Sequence, residues 1–268
     1  RSSTYTAGVL GWQTNVKALI LFEQSGVVRD AFIAAGWHAE SVDILPHESG
    51  DNTGHHIYDV FAFLEEAIAR GERWDIVIAH PPCTALSSSG NRWYAKGKEK
   101  YHKRIAAILE SQLLAYELIP SVTQHYAIEN PVGSMRRAIG PATCTVQPWE
   151  HGHGETKRTC FWTMGTLPPL VPTDIVDGRH QRVWLMPDSR GRAKRRSRTY
   201  EGIARAMVTQ WGRYVLGQGD VNGVEIPEPN ELRASLPQLP SEPVGIENPR
   251  HVVPCPDEDT VIHNPYLR

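Results

Sequence analysis

Two side chains in this sequence have the types and settings needed for covalent chemistry. Cys83 lies in HPPCTALSSSG, where two prolines fix the backbone just before the thiol. Glu129 lies in HYAIENP, where an acid and an amide, Asn130, close an apolar run that Pro131 stops. A thiol presented at a stable loop becomes a nucleophile once its thiolate is accessible. A carboxylate at a strand end can hydrogen-bond a ring nitrogen or move a proton. Each has a plainer alternative, a structural cysteine in a turn and a capping or surface glutamate. The chemical reading requires that both residues reach one crevice.

The elements that would bring them there are legible as apolar runs. VKALILF (Val16–Phe22) is short and almost wholly apolar, the pattern of a buried parallel strand. VVRDAFIAAG has helical spacing with Gly36 as its stop, and AESVDIL reads as a second strand, which completes a βαβ unit. Asp59–Arg70 is an amphipathic helix ended by Gly71; WDIVIAH (Trp74–His80) is a strand; Lys103–Ile119 is helical; HYAIEN (His125–Asn130) is a strand. This alternation predicts an α/β fold, a Rossmann-like doubly wound and mostly parallel sheet with helices on both faces. Ligands in such sheets bind beyond the carboxyl ends of the strands, where Phe22, Asp43, His80 and Glu129 stand.

After Gly140 the pattern changes. TCTVQPWEHGHGETKRTCFWTMG holds two short strands around a glycine-rich turn, LPPLVPTD is a loop, and GRAKRRSR (Gly191–Arg198) is a dense basic cluster. Tyr200–Leu216 reads as one helix with Ile203, Met207, Trp211 and Val215 near a common face. The expected organisation is an extension over 1–15, a catalytic domain over 16–166, a recognition and basic segment over 167–198, a closing helix over 199–219 and a proline-rich tail over 220–268. IENP recurs at Ile246–Pro249 without a strand before it, and that copy is read as chance.

Composition sets limits on function. The formal net charge is −2, from 28 Lys and Arg against 30 Asp and Glu, so a polyanion site must be a local patch. No apolar run reaches the roughly 18–20 residues of a membrane span, and the first residues lack the layout of a signal peptide. The four cysteines, Cys83, Cys144, Cys160 and Cys255, form no CxxC and no zinc-ligand spacing, which predicts a reducing, cytoplasmic setting and no metal. His151 and His153, in HGHG, have no further metal ligand nearby in sequence. Trp93 reads as a packing anchor or as a stacking surface for a base. Nothing in the sequence specifies an oligomeric state.

Taken together, these segments resemble the DNA cytosine-5 methyltransferase family, and in particular its compact phage-borne members. PPCTALSSSG is similar to the family's nucleophile loop PPC-x-x-F/L-S-x-x-G, and IENP to its ENV motif. LFEQSGVVRDAF occupies the place of its cofactor loop F-x-G-x-G-G, and HGHGETKRTCFW can be laid on Y-G-x-P-Q-x-R-x-R-x-F without a gap. The resemblance implies attack of Cys83 on carbon 6 of cytosine, with Glu129 holding ring nitrogen 3 and the amino group and Asn130 supporting that geometry. It implies S-adenosylmethionine, or a derivative of it, as cofactor. Phe22 would cover the adenine and Glu23, Ser25 and Gly26 would form the loop beneath it. Asp43 and Ile44 would lie by the ribose, and Asp59, Val60 and Pro81 around the base. Asp43 and Asp59 also read as turn and helix caps.

The sequence departs from that family in three places. Gly26 is the one glycine where the family has three. Glu155, Lys157 and Thr159 replace the Gln and two Arg of the later motif, leaving Arg158 or Lys157 to supply the missing cation. Only Leu167–Ser197 stands where the family carries a large recognition domain. Low or short sequence specificity follows. Affinity for DNA, as a duplex with a flipped cytosine or as a single strand, would come from Arg192, Lys194, Arg195, Arg196 and Arg198, with Ser87 and Arg92 beside the nucleophile loop. The alternatives are a related enzyme with a modified donor or a free nucleotide acceptor, and a catalytically silent DNA-binding homologue.

Overall fold

The computed structural model describes residues 16–217 except residue 190. The expected 1–15 extension, the 220–268 tail, Cys255 and the second IENP lie outside the described residues. Seven strands form one sheet: β1 (Lys17–Leu21), β2 (His38–Asp43), β3 (His55–Ile57), β4 (Ile76–Ala79), β5 (His125–Pro131), β6 (Cys144–Val146) and β7 (Thr159–Gly165). Their order is β3-β2-β1-β4-β5-β7-β6. Every pair from β3 across to β5 is parallel, and β7 runs antiparallel to both of its neighbours.

The apolar runs form strands because both sheet faces are buried. Side chains alternate between faces along a strand. Leu19, Leu21, Val77, Ala79 and Ile128 therefore meet Leu64 of α2 (Val60–Ala69) and Leu114 on one side. Leu114 follows α4 (Tyr101–Leu113), which runs on through a wider turn over Leu114–Leu118. Ala18, Ile20, Ile76, Ile78 and Ala127 meet Phe32 of α1 (Val27–Ala34) and Ile203 of α8 (Glu201–Ala206) on the other. Each fully buried Leu, Ile or Phe contributes about 1.5–3 kcal/mol. The fold is thus a doubly wound, mostly parallel α/β sheet between two helical layers. The closing helix continues from α8 through Met207–Gly212 into a last turn, Arg213–Val215, and buries Ile203, Met207 and Trp211.

Two local features escape the sequence pattern. β3 is a three-residue edge strand in which only His55 is buried, so it has no apolar signature. The basic cluster GRAKRRSR contains a short helix, Arg192–Ser197, which has no apolar face to announce it. The remaining short helices are α3 (Asn91–Tyr94), α5 (Met135–Ile139), α6 (Arg182–Leu185) and, over the basic run, α7.

Strand order reverses between β1 and β4, which opens a crevice beyond their carboxyl ends. Phe22 leaves β1 with φ 59°, an unusual left-handed turn for an aromatic residue. The turn lets the N–H groups of Phe22 and Glu23 both reach Val42 O, at 2.8 and 3.3 Å. The loop after β4 is held by Arg104 of α4. Its guanidinium donates to Ala85 O (2.6 Å), Ser87 O (3.3 Å) and Asn91 Oδ1 (2.8 Å).

From the other side the chain after β5 docks on the same loop, with Ser134 N–H donating to Leu86 O at 2.6 Å and Ser88 N–H to Val132 O at 2.9 Å. Gly133 makes this approach possible, since a Cβ there would lie 2.1 Å from Leu86 O and 2.8 Å from Ser87 Cα. Both neighbours are backbone. Gly133→Ala should therefore cost about 1–3 kcal/mol and lower the Tm in a thermal melt. A melt identical to that of the unaltered protein would contradict this packing.

Candidate active site

A cleft of about 1320 Å³ lies over the carboxyl edge of the sheet. Phe22, Asp43, Asp59, Pro81, Cys83, Glu129, Lys157 and Arg158 all face it. The loop geometry explains how Cys83 reaches it. Cys83 O accepts N–H from Leu86 (3.1 Å) and Ser87 (2.8 Å), which closes a tight turn straight after the two prolines. Asn130 at the end of β5 donates from Nδ2 to Pro81 O at 2.8 Å and is itself buried. Its amide joins the nucleophile loop to β5 and does not line the cleft. A hydrogen bond of this kind contributes about 1 kcal/mol net.

The charges around the thiol oppose one another. Burial pushes the Cys83 pKa up, and the neighbouring Glu129 carboxylate pushes it further, while Lys157 and Arg196 pull it down. The balance leaves a neutral thiol at rest. Glu129 Oε2 meets His80 Nδ1 at 3.1 Å. The other ring nitrogen, His80 Nε2, is buried and has no hydrogen-bond partner among the described residues. Burial lowers the Lys157 pKa, and Glu129 and Cys83 resist that. Lys157 Nζ donates to Arg198 O (3.0 Å) and Ser197 O (3.4 Å). Two of its three protons are thus committed to the basic segment. Arg158 is exposed at the cleft wall.

Of the expected cofactor residues, Phe22, Glu23, Ser25, Asp43, Ile44, Asp59, Val60 and Pro81 line the cleft. Asp43 Oδ1 accepts Leu45 N–H at 2.9 Å, and burial pushes its carboxyl pKa up. Asp59 caps α2 by accepting Ala62 N–H at 3.0 Å while also facing the cleft.

The start of α1 differs from expectation. Glu23 is 4% exposed and accepts the N–H groups of Val28 (2.7 Å) and Arg29 (3.1 Å). Burial raises its pKa. A protein carboxylate thus fills the anion-binding end of the helix. Ser25 Oγ accepts Val27 N–H at 3.4 Å. Gly26 (φ 70°) is absent from the cleft wall, because the His47 imidazole packs on it: a Cβ there would lie 2.1 Å from His47 Nε2. The close approach expected at Gly26 belongs to a side chain of this protein.

The basic run arches over the cleft. Lys194, Arg196 and Arg198 line it, and Lys194 and Arg198 pair with Glu48 at 3.3 and 3.0 Å. Arg192 and Arg195 lie outside that wall. Arg192 faces Asp188 at 3.7 Å, and Arg195 donates to Ser189 Oγ at 2.7 Å. Ser87 lines the cleft but is buried, with its Oγ 3.0 Å from Ser89 Oγ. Arg92 stacks on Trp93, 4.8 Å from the ring centroid, and does not face the cleft. Trp93 is 53% exposed on the cleft rim, so it does not serve as a packing anchor.

Sequence reasoning gave His80, Glu48 and Arg104 no role. His80 had a signal, since it precedes the prolines at a strand end, whereas Glu48 and Arg104 act through distant partners that spacing cannot reveal. His151 and His153 have structural partners, Thr173 Oγ1 at 2.9 Å and Gly202 N–H at 3.0 Å. Among the described residues, no cluster of three or more metal-ligating side chains occurs and no helix is long and apolar enough to cross a membrane.

No protein-family model matches the chain, and no curated protein sequence is significantly similar to it. Among solved structures it is similar to a methyltransferase of Entamoeba histolytica, EhMeth, at 13% identity and a TM-score of 0.43, over 63% of this chain and 58% of that one. It is also similar to a mutant of DNMT2 from Spodoptera frugiperda, at 14% identity and a TM-score of 0.33, over 65% and 60%. The chain spans about three fifths of the length of each.

The site electrostatics set a reactivity test. A thiol held neutral should alkylate with iodoacetamide more slowly at pH 8 than an ordinary exposed cysteine, with a rate still climbing above pH 9. Glu129→Gln removes the negative neighbour and should speed alkylation of Cys83 at fixed pH, read by peptide mass spectrometry. An unchanged or slower rate in the variant would contradict the coupling.

Proposed function

We propose that this protein transfers a methyl group from S-adenosylmethionine to carbon 5 of cytosine in DNA through a covalent adduct with Cys83. The observation that carries the reading is that Cys83 and Glu129, from the separate loops after β4 and β5, face one cleft and are tied together by the Asn130–Pro81 bond. A binding module has no need of a coupled thiol and carboxyl at a sheet's ligand-binding edge.

Carbon 5 of cytosine is a poor nucleophile. Addition of the Cys83 thiolate to carbon 6 makes the ring an enamine, so carbon 5 can attack an electrophile. The proton that leaves the Cys83 thiol would pass to the Glu129 carboxylate, which then donates it to ring nitrogen 3 and accepts from the amino group, stabilising the charge that develops there. That same proton removes the negative neighbour that holds the thiol neutral, so base binding and thiolate formation favour each other. Lys157 and Arg196 stabilise the thiolate. After methyl transfer, loss of the carbon-5 proton to a base and departure of the thiolate restore the ring.

The cofactor supplies an electrophilic methyl group when bound. The residues that would hold it are Asp43 at the ribose and Phe22, Asp59, Val60 and Pro81 around the adenine. Asp43 fits, being an acceptor at a strand end on the cleft wall. The Gly26 loop does not act as a cradle, since Glu23 and His47 fill it. The target base must be unstacked to reach Cys83. Lys194, Arg196 and Arg198 on the cleft wall would meet the phosphates, and on DNA binding Glu48 would give up its two cations.

The direct assay incubates protein, S-adenosylmethionine and DNA, then weighs the digested nucleosides. Deoxycytidine should gain one methyl, and Cys83→Ser should abolish the gain. No methylated product on duplex or single-stranded DNA would overturn the proposal. Binding should also weaken with salt, with log K falling by about 3 per tenfold change if about three phosphates are met. Alanine at Lys194, Arg196 and Arg198 should flatten that slope, and an unchanged slope would remove these residues from the DNA interface.

A further inference from the structure

A second, smaller hollow of about 290 Å³ opens beside the main cleft and shares Phe22, Phe61, Pro81 and Pro82 with it. Its far wall is one face of α4 and its continuation, where Lys103, Ala106, Ala107, Glu110 and then Leu114 follow one another at helical spacing. The two alanines leave the space, and Glu110 stands in a wall that is otherwise mostly apolar. The walls suit a flat heteroaromatic ring: Phe22 and Phe61 stand edge to face with centroids 6.2 Å apart, and Pro81 and Pro82 also line the hollow.

Among the described residues, none makes a hydrogen bond to the Glu110 carboxyl. Burial pushes its pKa up to about 7, and the nearby Asp59 carboxylate adds to this. A partly buried carboxyl without a partner is costly unless a ligand satisfies it. Asp59, the acid that the resemblance assigns to the adenine, already spends one oxygen on capping α2.

We propose that Glu110 is the group that reads the amino-substituted edge of the cofactor's adenine in this side pocket. A neutral carboxyl presents one O–H donor and one carbonyl acceptor, the complement of adenine's ring-nitrogen acceptor and amino donor. An ionised carboxylate keeps only the acceptor half of that pair. The proposal rests on the reading that the cleft takes S-adenosylmethionine. It goes beyond that reading by assigning base selectivity to a helix residue outside the strand-end loops.

The test is calorimetric binding of S-adenosylhomocysteine to the unaltered protein, Glu110→Gln and Glu110→Leu at pH 6 and pH 8.5. The glutamine amide offers the same donor and acceptor without ionising. It should bind as tightly as the unaltered protein at pH 6 and lose no affinity at pH 8.5. The unaltered protein should weaken about tenfold over that range. Besides Glu110, the charged and titratable groups around the hollow are Asp59, Lys103 and Tyr94, which the glutamine variant leaves in place as an internal control.

Glu110→Leu should bind about tenfold more weakly at both pH values. It should also melt at a higher temperature at pH 8, because it removes a buried charge. The sign follows from the raised folded-state pKa: the burial cost grows as pH rises from 4.5 to about 7. A leucine variant that binds like the unaltered protein would overturn the inference. Failure of the unaltered protein to bind S-adenosylhomocysteine would instead overturn the cofactor reading, and this inference with it.

Discussion

The site depends on keeping the carboxyl ends of β4 and β5 in register. Cys83 and Glu129 are 46 residues apart in a chain whose intervening helix lies on one sheet face. Parallel pairing of Val77–Ala79 with Tyr126–Ile128 brings the two ends side by side. Main-chain contacts then fix the loops themselves. Asn130 holds the Pro81 carbonyl, Gly133 admits the Leu86–Ser87 backbone, and Arg104 grips the same loop from α4. A thiol misplaced by about 1 Å loses much of the advantage of a preset geometry. Buried polar groups are therefore used here for position, and the apolar cores on both faces carry the stability.

The second constraint is charge. Cys83, Glu129, His80 and Lys157 share one partly buried region with one segment of basic chain above it. Coulomb interactions there are stronger than in water, and Glu129 and Lys157 act on the Cys83 thiol in opposite directions. The free site keeps the thiol neutral, which protects it from unwanted oxidation and alkylation. Glu48 and the carbonyls of Ser197 and Arg198 hold the basic segment over the cleft without any ligand. A polyanion would compete with Glu48 for the same cations, so the proposed nucleic-acid binding would be linked to the position of that segment.

Much of this fold was legible in the sequence. β1 and β4 are buried almost throughout, so KALIL and IVIA stand out as apolar runs, and β5 adds YAI before its polar end, while β2 (HAESVD) was legible only as the partner of β1 in a βαβ unit. β3 was missed because an edge strand of three residues needs no apolar face. PPC and ENP marked the loops after β4 and β5, which face one cleft, because prolines and strand ends constrain local sequence. The contents of the α1 start were not legible. Glu23 and Gly26 stand where a cofactor loop was expected, but their partners, Val28 and Arg29 N–H and the His47 ring, come from the folded geometry. Arg104 and Glu48 act across the tertiary structure and show no spacing signal of their own.

The central claim is attack of the Cys83 sulfur on carbon 6 of cytosine, and the most direct measurement is covalent trapping. With 5-fluorodeoxycytidine in the DNA and S-adenosylmethionine present, fluorine blocks the elimination that normally frees the enzyme. Intact-mass spectrometry should then find a complex of protein, oligonucleotide and one methyl, with the cross-link mapped to Cys83 and absent in Cys83→Ser. Protein recovered only at its free mass, under conditions where it binds both DNA and cofactor, would contradict the account.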